Sequence, residues 1–147
     1  MVISQIIGGL GNQMFQYAAG KSLADFHGVD LKLDLTSFSS YDLHTYCLDK
    51  FNISSPVANK EELKPFLKYN PPTNRFWKIA LEKLEFFVSY KRKKIFFEPY
   101  INFNKRFFQL PKNIYLSGYF QSEKYFNKIE NIIREEFVLK EETSEAY

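Results

Sequence analysis

Hydrophobic and polar positions change period twice within the first 35 residues. Val2 to Ile7 is a short, β-branched apolar run that stops at glycine, the pattern of a buried strand. Beyond Gly8, Gly9 and Gly11 the period becomes helical. Phe15, Ala18, Ala19, Ser22, Leu23 and Phe26 fall at i, i+3, i+4, i+7, i+8 and i+11, one stripe with one polar member. Gly28 stands just past the last periodic residue, where a helix-ending C′ glycine belongs. Residues 29–35, VDLKLDL, then alternate apolar and charged, which predicts a second strand. Strand, helix and strand in this order form a βαβ unit, and a right-handed crossover makes the two strands parallel. The expected fold is therefore α/β, with a βαβ start and a mostly parallel sheet.

The pattern loosens through TSFSSYDLHTYCLDKFNISSPVA, a polar and aromatic region with no assignable period. Asn59 followed by Glu62 is an N-cap and N3 acid, so a short helix is expected from about Lys60, ending before Pro71 and Pro72. Asn74 is a second candidate cap, for a helix with Trp77, Ala80, Leu81, Leu84 and Val88 on one face. That helix would finish in KRKK, residues 91–94, read as a solvated helix end favoured by the macrodipole ahead of a phosphate or lipid site. KIFFEPYINFNKRFFQLP supplies short extended pieces broken by Pro99 and Pro111, and NIYLSGYF reads as a third strand. Ser122 is placed to cap a last helix in which Phe126, Ile129, Ile133 and Phe137 share a face. Residues 141–147 read as a charged, frayed tail.

Composition narrows the class. At 147 residues the chain is sized for one domain, and 45% hydrophobic with 25% charged residues is the balance of a globular protein. Its 16 Phe and 10 Tyr exceed what such a core needs, which suggests aromatic surface turned toward a ligand or a partner domain. A net charge of +3, spread along the chain, does not imply nucleic acid. The single cysteine, Cys47, permits neither an internal disulfide nor a cysteine zinc cluster. With no signal-peptide pattern and no long apolar run, the chain reads as cytoplasmic, which leaves peripheral contact with a membrane open.

The glycine turn carries the most specific local chemistry. A glycine-rich link between the first strand and first helix lets a ligand approach the backbone, while the helix N–H groups and dipole attract an anion. It does not match the dinucleotide fingerprint, because Met14 stands where the third glycine is needed, nor the P-loop, because no Gly-Lys-Ser/Thr follows. Asn12 has two readings, an N-cap for the helix or an amide aimed at a ligand hydroxyl or phosphate. Gln13 and Gln16 offer further amides, or are solvent-facing helix residues. Asp34 sits at the carboxyl end of the second strand, where ligands gather in open α/β sheets. His27 and His44 belong to no metal or nucleophile motif, and the absence of D-x-D counts against a metal-held sugar nucleotide. No metal is expected.

IIGGLGNQMFQYAAGKSLA near the N-terminus, LDLTSF at 33–38, LDKFNI at 48–53 and YLSGYFQSEKYF at 115–126 together resemble glycosyltransferase family 11, the α-1,2-fucosyltransferases. The resemblance implies a GT-B transferase that moves L-fucose from GDP-β-L-fucose to the 2-hydroxyl of a terminal galactoside, with inversion and without a metal or other cofactor. It implies that residues 1–140 form the N-terminal, Rossmann-like, acceptor-side domain, and that Gly9, Gly11 and Asn12 belong to the loop facing the cleft. Asn12 would help stabilise the departing diphosphate. Asp34 and Gln121 would contact substrate, Gln121 and Ser122 having the capping of the last helix as their alternative role. The family's H-x-R-R-x-D motif does not occur; Arg75, Arg92, Arg106 and Arg134 are isolated. The expectation is thus an N-terminal half without its donor-binding domain, whose partners are GDP-fucose, a galactoside of a surface glycan such as an O-antigen, and a missing C-terminal half. The competing expectation is a non-catalytic carbohydrate-binding or pseudo-enzyme remnant.

Overall fold

Both changes of period lead to the elements they predict. In the computed structural model, which describes residues 1–40, 43–67, 88–98 and 102–141 together with Lys83, β1 spans Val2–Gln5, α1 Leu10–His27 and β2 Leu31–Asp34. Gly28 ends α1 in the left-handed conformation, its N–H returned to the carbonyls of Ala24 and Asp25. The chain continues through α2 (Lys60–Leu67), β3 (Ile95–Phe97), β4 (Ile114–Ser117) and α3 (Glu130–Glu136). The strands form one four-stranded parallel sheet in the order β2-β1-β4-β3. The sequence expectation of three strands is short by one, because β3 is a three-residue piece of the stretch read as broken.

A parallel sheet needs cover on both faces. On one face, Val2, Ile6, Leu33, Ile114 and Leu116 pack with α1 and α3. On the other, Ile3, Ile95 and Tyr115 meet Ala58, Leu63 and Phe66. The second helix begins with the expected reciprocal cap: Glu62 N–H donates to Asn59 Oδ1, and Asn59 N–H to Glu62 Oε2, each at 3.0 Å. A hydrogen bond from Lys32 holds the Glu62 carboxyl below its ordinary value. Outside β2, Leu33 exchanges backbone hydrogen bonds with Pro56 and Ala58, so this edge is partly covered. Glu136 pins α3 to α1 by accepting from the Tyr17 hydroxyl at 2.8 Å and pairing with Lys21 at 3.1 Å.

Four expectations need correction. Phe26, read as the end of the buried stripe, is 55% exposed and rests against the Phe108 ring, whereas Gln13, Gln16, Tyr17, Gly20 and Ala24 are buried. The buried surface of α1 is broader than the stripe because the helix lies very close to the sheet. A Cβ on Gly20 would stand 2.9 Å from Leu31 Cδ1 and 3.0 Å from Ser4 Cβ, so a larger residue would press on both strands and glycine best suits that approach. The last helix is shorter than read: single 3₁₀ turns at Glu123–Tyr125 and Asn127–Ile129 precede α3, and Ser122 caps the first of them. The KRKK cations are not one solvated helix end. Lys91 and Arg92 lie in a 3₁₀ turn, while Lys93 is buried with its ammonium 5.6 Å from the Tyr90 ring centroid. Finally, much of the aromatic surplus is core, since Phe96 of β3 packs edge-to-face on Phe107, which with Phe120 and Tyr125 forms a cluster of tilted and edge-to-face rings. Of the helix expected after Asn74, the face positions Trp77, Ala80, Leu81 and Leu84 lie outside the described residues and Val88 stands in a bend; the tail beyond residue 141 also lies outside them.

Gly20→Ala should destabilise the fold by about 1–3 kcal/mol through overpacking, read as a lower urea midpoint with an unchanged slope.

Candidate functional site

Parallel strands deliver all their carboxyl ends to one edge, and in open α/β sheets ligands bind there. Here β1 and β4 are neighbours at the centre, so the two segments that leave them, Ile6–Gly9 and Gly118–Ser122, stand side by side. Gly8 makes the first turn with φ of 77°, a left-handed conformation suited to glycine. Gly9 is the extended N-cap of α1. The N–H groups of Leu10, Gly11 and Asn12, in the first helical turn, have no carbonyl within the helix to receive them.

Two buried glutamines lock this turn. Gln16, with 0% exposure, accepts from Ile7 N–H at 2.9 Å and donates through Nε2 to the Gly118 carbonyl at 3.1 Å. Gln13, equally buried, donates to the carbonyls of Gly8 and Thr45, both at 2.8 Å, and accepts from Cys47 N–H at 3.0 Å. Neither amide is a solvent-facing helix residue. Their signal in the sequence is their position: Gln13, Gln16 and Gly20 share one helical face, the one turned to the sheet.

Asn12 is not the cap of α1, because the helix already begins at Leu10 and Gly9 takes that place. Its side chain instead bridges the two loops, Oδ1 accepting from Gln121 Nε2 at 2.7 Å on the exposed side of the site. Two residues singled out in the sequence, 109 positions apart, are thus brought together. Neither Gln121 nor Ser122 caps the last helix; the Ser122 hydroxyl accepts from Lys124 N–H and caps the 3₁₀ turn Glu123–Tyr125. Gly11 is exposed, and a Cβ there would meet nothing among the described residues within 4 Å. At Gly9 the nearest atoms would be those of the His44 ring, at 3.7 Å, an ordinary contact. The neighbouring chain therefore leaves room for a side chain at both positions.

Asp34 lies deeper, at 1% exposure, with Oδ2 accepting from the Tyr115 hydroxyl at 2.5 Å and Oδ1 from Thr36 N–H at 2.9 Å. Both carboxylate oxygens are engaged within the fold, on the α2 side of the sheet. Nearby on the same sheet face, Ser117 donates to Gln5 Oε1 at 2.8 Å. Burial first, and then the Asp34 charge and hydrogen bond, push the Tyr115 hydroxyl far above its ordinary value. No three His, Cys, Asp or Glu side chains among the described residues are grouped to hold a metal ion, and no helix among them is long and apolar enough to cross a membrane.

Comparison with known proteins adds one relation. The chain is 34% identical over 140 residues to an alpha-1,2-colitosyltransferase of Escherichia coli, a match that takes in 93% of this chain and 44% of that protein. The chain thus spans less than half the length of the curated relative it matches. The likeness is to a glycosyltransferase. No family model matches the chain, and no solved structure does.

The buried tyrosines set an alkaline limit. In the folded chain burial raises the hydroxyls of Tyr17, Tyr115 and Tyr125, while an unfolded tyrosine ionises near pH ~10. Their contribution is complete below that value and is lost as pH rises above it, because only the unfolded chain readily releases the proton. Urea midpoints measured between about pH 8 and 11 should fall above about pH 10, and Tyr115→Phe should fall less steeply from a lower plateau.

Proposed function

We propose that this chain forms the acceptor-side part of an α-1,2-glycosyltransferase and that the Asn12–Gln121 bridge, with Gly9 and Gly11 beside it, is one wall of its transfer cleft. The observation that carries the reading is the conjunction of this bridge, which joins the loops at the adjoining carboxyl ends of β1 and β4, with the room left beside Gly9 and Gly11 at the start of α1. The similarity to a colitosyltransferase supports it. The donor in this reading is GDP-β-L-fucose and the acceptor oxygen the 2-hydroxyl of a terminal galactoside. Transfer of a colitosyl group is the second reading, favoured by the name of the relative.

In an inverting displacement the acceptor oxygen attacks the anomeric carbon as its bond to the diphosphate breaks, and the acceptor proton leaves to a base. Negative charge grows on the diphosphate. Donors already aimed at that charge stabilise the transition state without reorganising. The first-turn N–H groups of α1 provide such donors, and the helix dipole adds to them within its first turn. Asn12 has its carbonyl oxygen on Gln121, which leaves its NH₂ group to donate to a ligand. Asp34 supports the wall from beneath through Tyr115 and Thr36, a buried anchor for the end of β2. The cleft in this reading is completed by a second domain supplying cationic groups to the diphosphate, consistent with a match to 44% of the relative.

The test is transfer of labelled sugar from GDP-fucose, or from nucleotide-activated colitose, to a galactoside, with this chain alone and with the C-terminal half of the relative added. Turnover is expected only with the added half, and its absence from both donors in both arms would overturn the reading. Gly11→Ala should leave folding stability within about 1 kcal/mol yet lower kcat/KM by about tenfold or more, since an added methyl group occupies space the fold does not use. An unchanged rate would remove Gly11 from the wall.

A further inference from the structure

The segment that carries Gln121 to Asn12 does not hold its shape unaided. Phe120 adopts φ of 50°, in the left-handed region, and is the one non-glycine residue with positive φ among the described residues. For an aromatic residue that conformation persists only where its surroundings enforce it. One enforcement is packing: the Phe120 ring is fully buried, with centroid separations of 5.3 Å to Tyr125 and 5.8 Å to Phe107. The other is Glu98, the residue that follows β3. Its Oε2 accepts from Tyr119 N–H at 3.0 Å and from Phe120 N–H at 2.7 Å. Its Oε1 accepts from the Tyr125 hydroxyl at 3.1 Å, and that hydroxyl in turn accepts from Asn104 N–H at 3.1 Å.

The carboxylate is also brought against the loop by shape. A Cβ at Gly118 would lie 2.5 Å from Glu98 Cβ, so the Glu98 stem passes directly over a position that tolerates only glycine. The Gly118 carbonyl is held from the other side by Gln16. Between these two attachments the chain has little choice of path, and its next residue is Gln121. Nothing in the sequence marks Glu98 except its place between two apolar residues and Pro99, and no other role for its carboxylate is visible among the described residues.

We propose that Glu98 is a positioning residue for the transfer cleft: it fixes the Tyr119–Phe120 backbone so that Gln121 meets Asn12, and acts on substrate only through that bridge. The proposal rests on the transferase reading for its consequence in turnover, but not for its geometry. A charged acceptor on two adjacent N–H groups is stronger than a neutral one. Glutamine at 98 retains one oxygen for those two N–H groups, and alanine retains none.

The test compares Glu98→Ala and Glu98→Gln with the unaltered chain. In Glu98→Ala, amide hydrogen exchange at Tyr119 and Phe120 should quicken by about tenfold or more relative to Ile114–Leu116, and the side-chain amide NMR signals of Asn12 and Gln121 should shift. Glu98→Gln should restore both to near the original. In the transfer assay with the added C-terminal half, Glu98→Ala should raise the acceptor KM about tenfold while kcat changes less than about threefold, and Glu98→Gln should lie between. If Glu98→Ala fails to fold, Glu98→Asp, which keeps the charge but shortens the reach, should show the same exchange and signal changes in weaker form. Unshifted Asn12 and Gln121 signals, or exchange that quickens equally throughout β4, would overturn the proposal. Turnover absent in every form, the unaltered one included, would count against the transferase reading alone; the exchange and NMR results would still decide the role of Glu98.

Discussion

The amide of Gln16 holds the first strand, the first helix and the fourth strand in one frame. It is fully buried, and both its ends are engaged by backbone groups: the N–H of Ile7 as β1 gives way to the turn, and the carbonyl of Gly118 just after β4. A buried amide left without partners costs on the order of 1–3 kcal/mol, so the side chain favours only the arrangement in which both loops are in place. Gly20, one turn further along, lets the helix come close enough for that reach. The close approach of α1 to the sheet and the juxtaposition of the two loops are thus one constraint.

Polar groups at the carboxyl edge follow a division of labour. The deeper ones, Asp34 with Tyr115 and Gln13 with Gly8, Thr45 and Cys47, are engaged by the fold itself. The outer pair, Asn12 and Gln121, meets at the surface in a hydrogen bond between two side chains, the kind of contact that a ligand can replace. The deeper layer stabilises backbone position, and the outer layer is where chemistry with a partner takes place in the proposed reading.

How much of this was legible in the sequence depended on the range of the interaction. Local patterns were sufficient for β1, α1, β2, the left-handed Gly28 and the Asn59–Glu62 cap, because each is decided within a few residues. The resemblance carried by YLSGYFQSEKYF placed Gln121 among the site candidates, and the structure sets it against Asn12. What was not legible rests on contacts across the sheet. Gln13 and Gln16 looked like surface residues because a pattern along the helix does not reveal a sheet close enough to bury two amides. Phe26 completes a stripe that the sheet covers only in part. Phe120 gives no sign of its positive φ, which Glu98 and the surrounding rings impose from elsewhere in the chain. Beta-strand β3 was missed because three residues between charged and proline-containing segments have too short an alternation to register.

The pairing of β1 with β4 also sets an order of events during synthesis. Val2 is joined to Ile114 in the register of the central strands, so the middle of the sheet is made from the beginning of the chain and from residues translated more than a hundred positions later. Until those emerge, β1, α1 and β2 can associate, but the free end of the Gln16 amide faces the place where Gly118 will arrive. Closure of so long a loop is slow compared with helix formation. The nascent βαβ unit must therefore wait with an open inner strand edge and an incompletely bonded helix face, the stage at which such a chain is most exposed to pairing with the wrong strand.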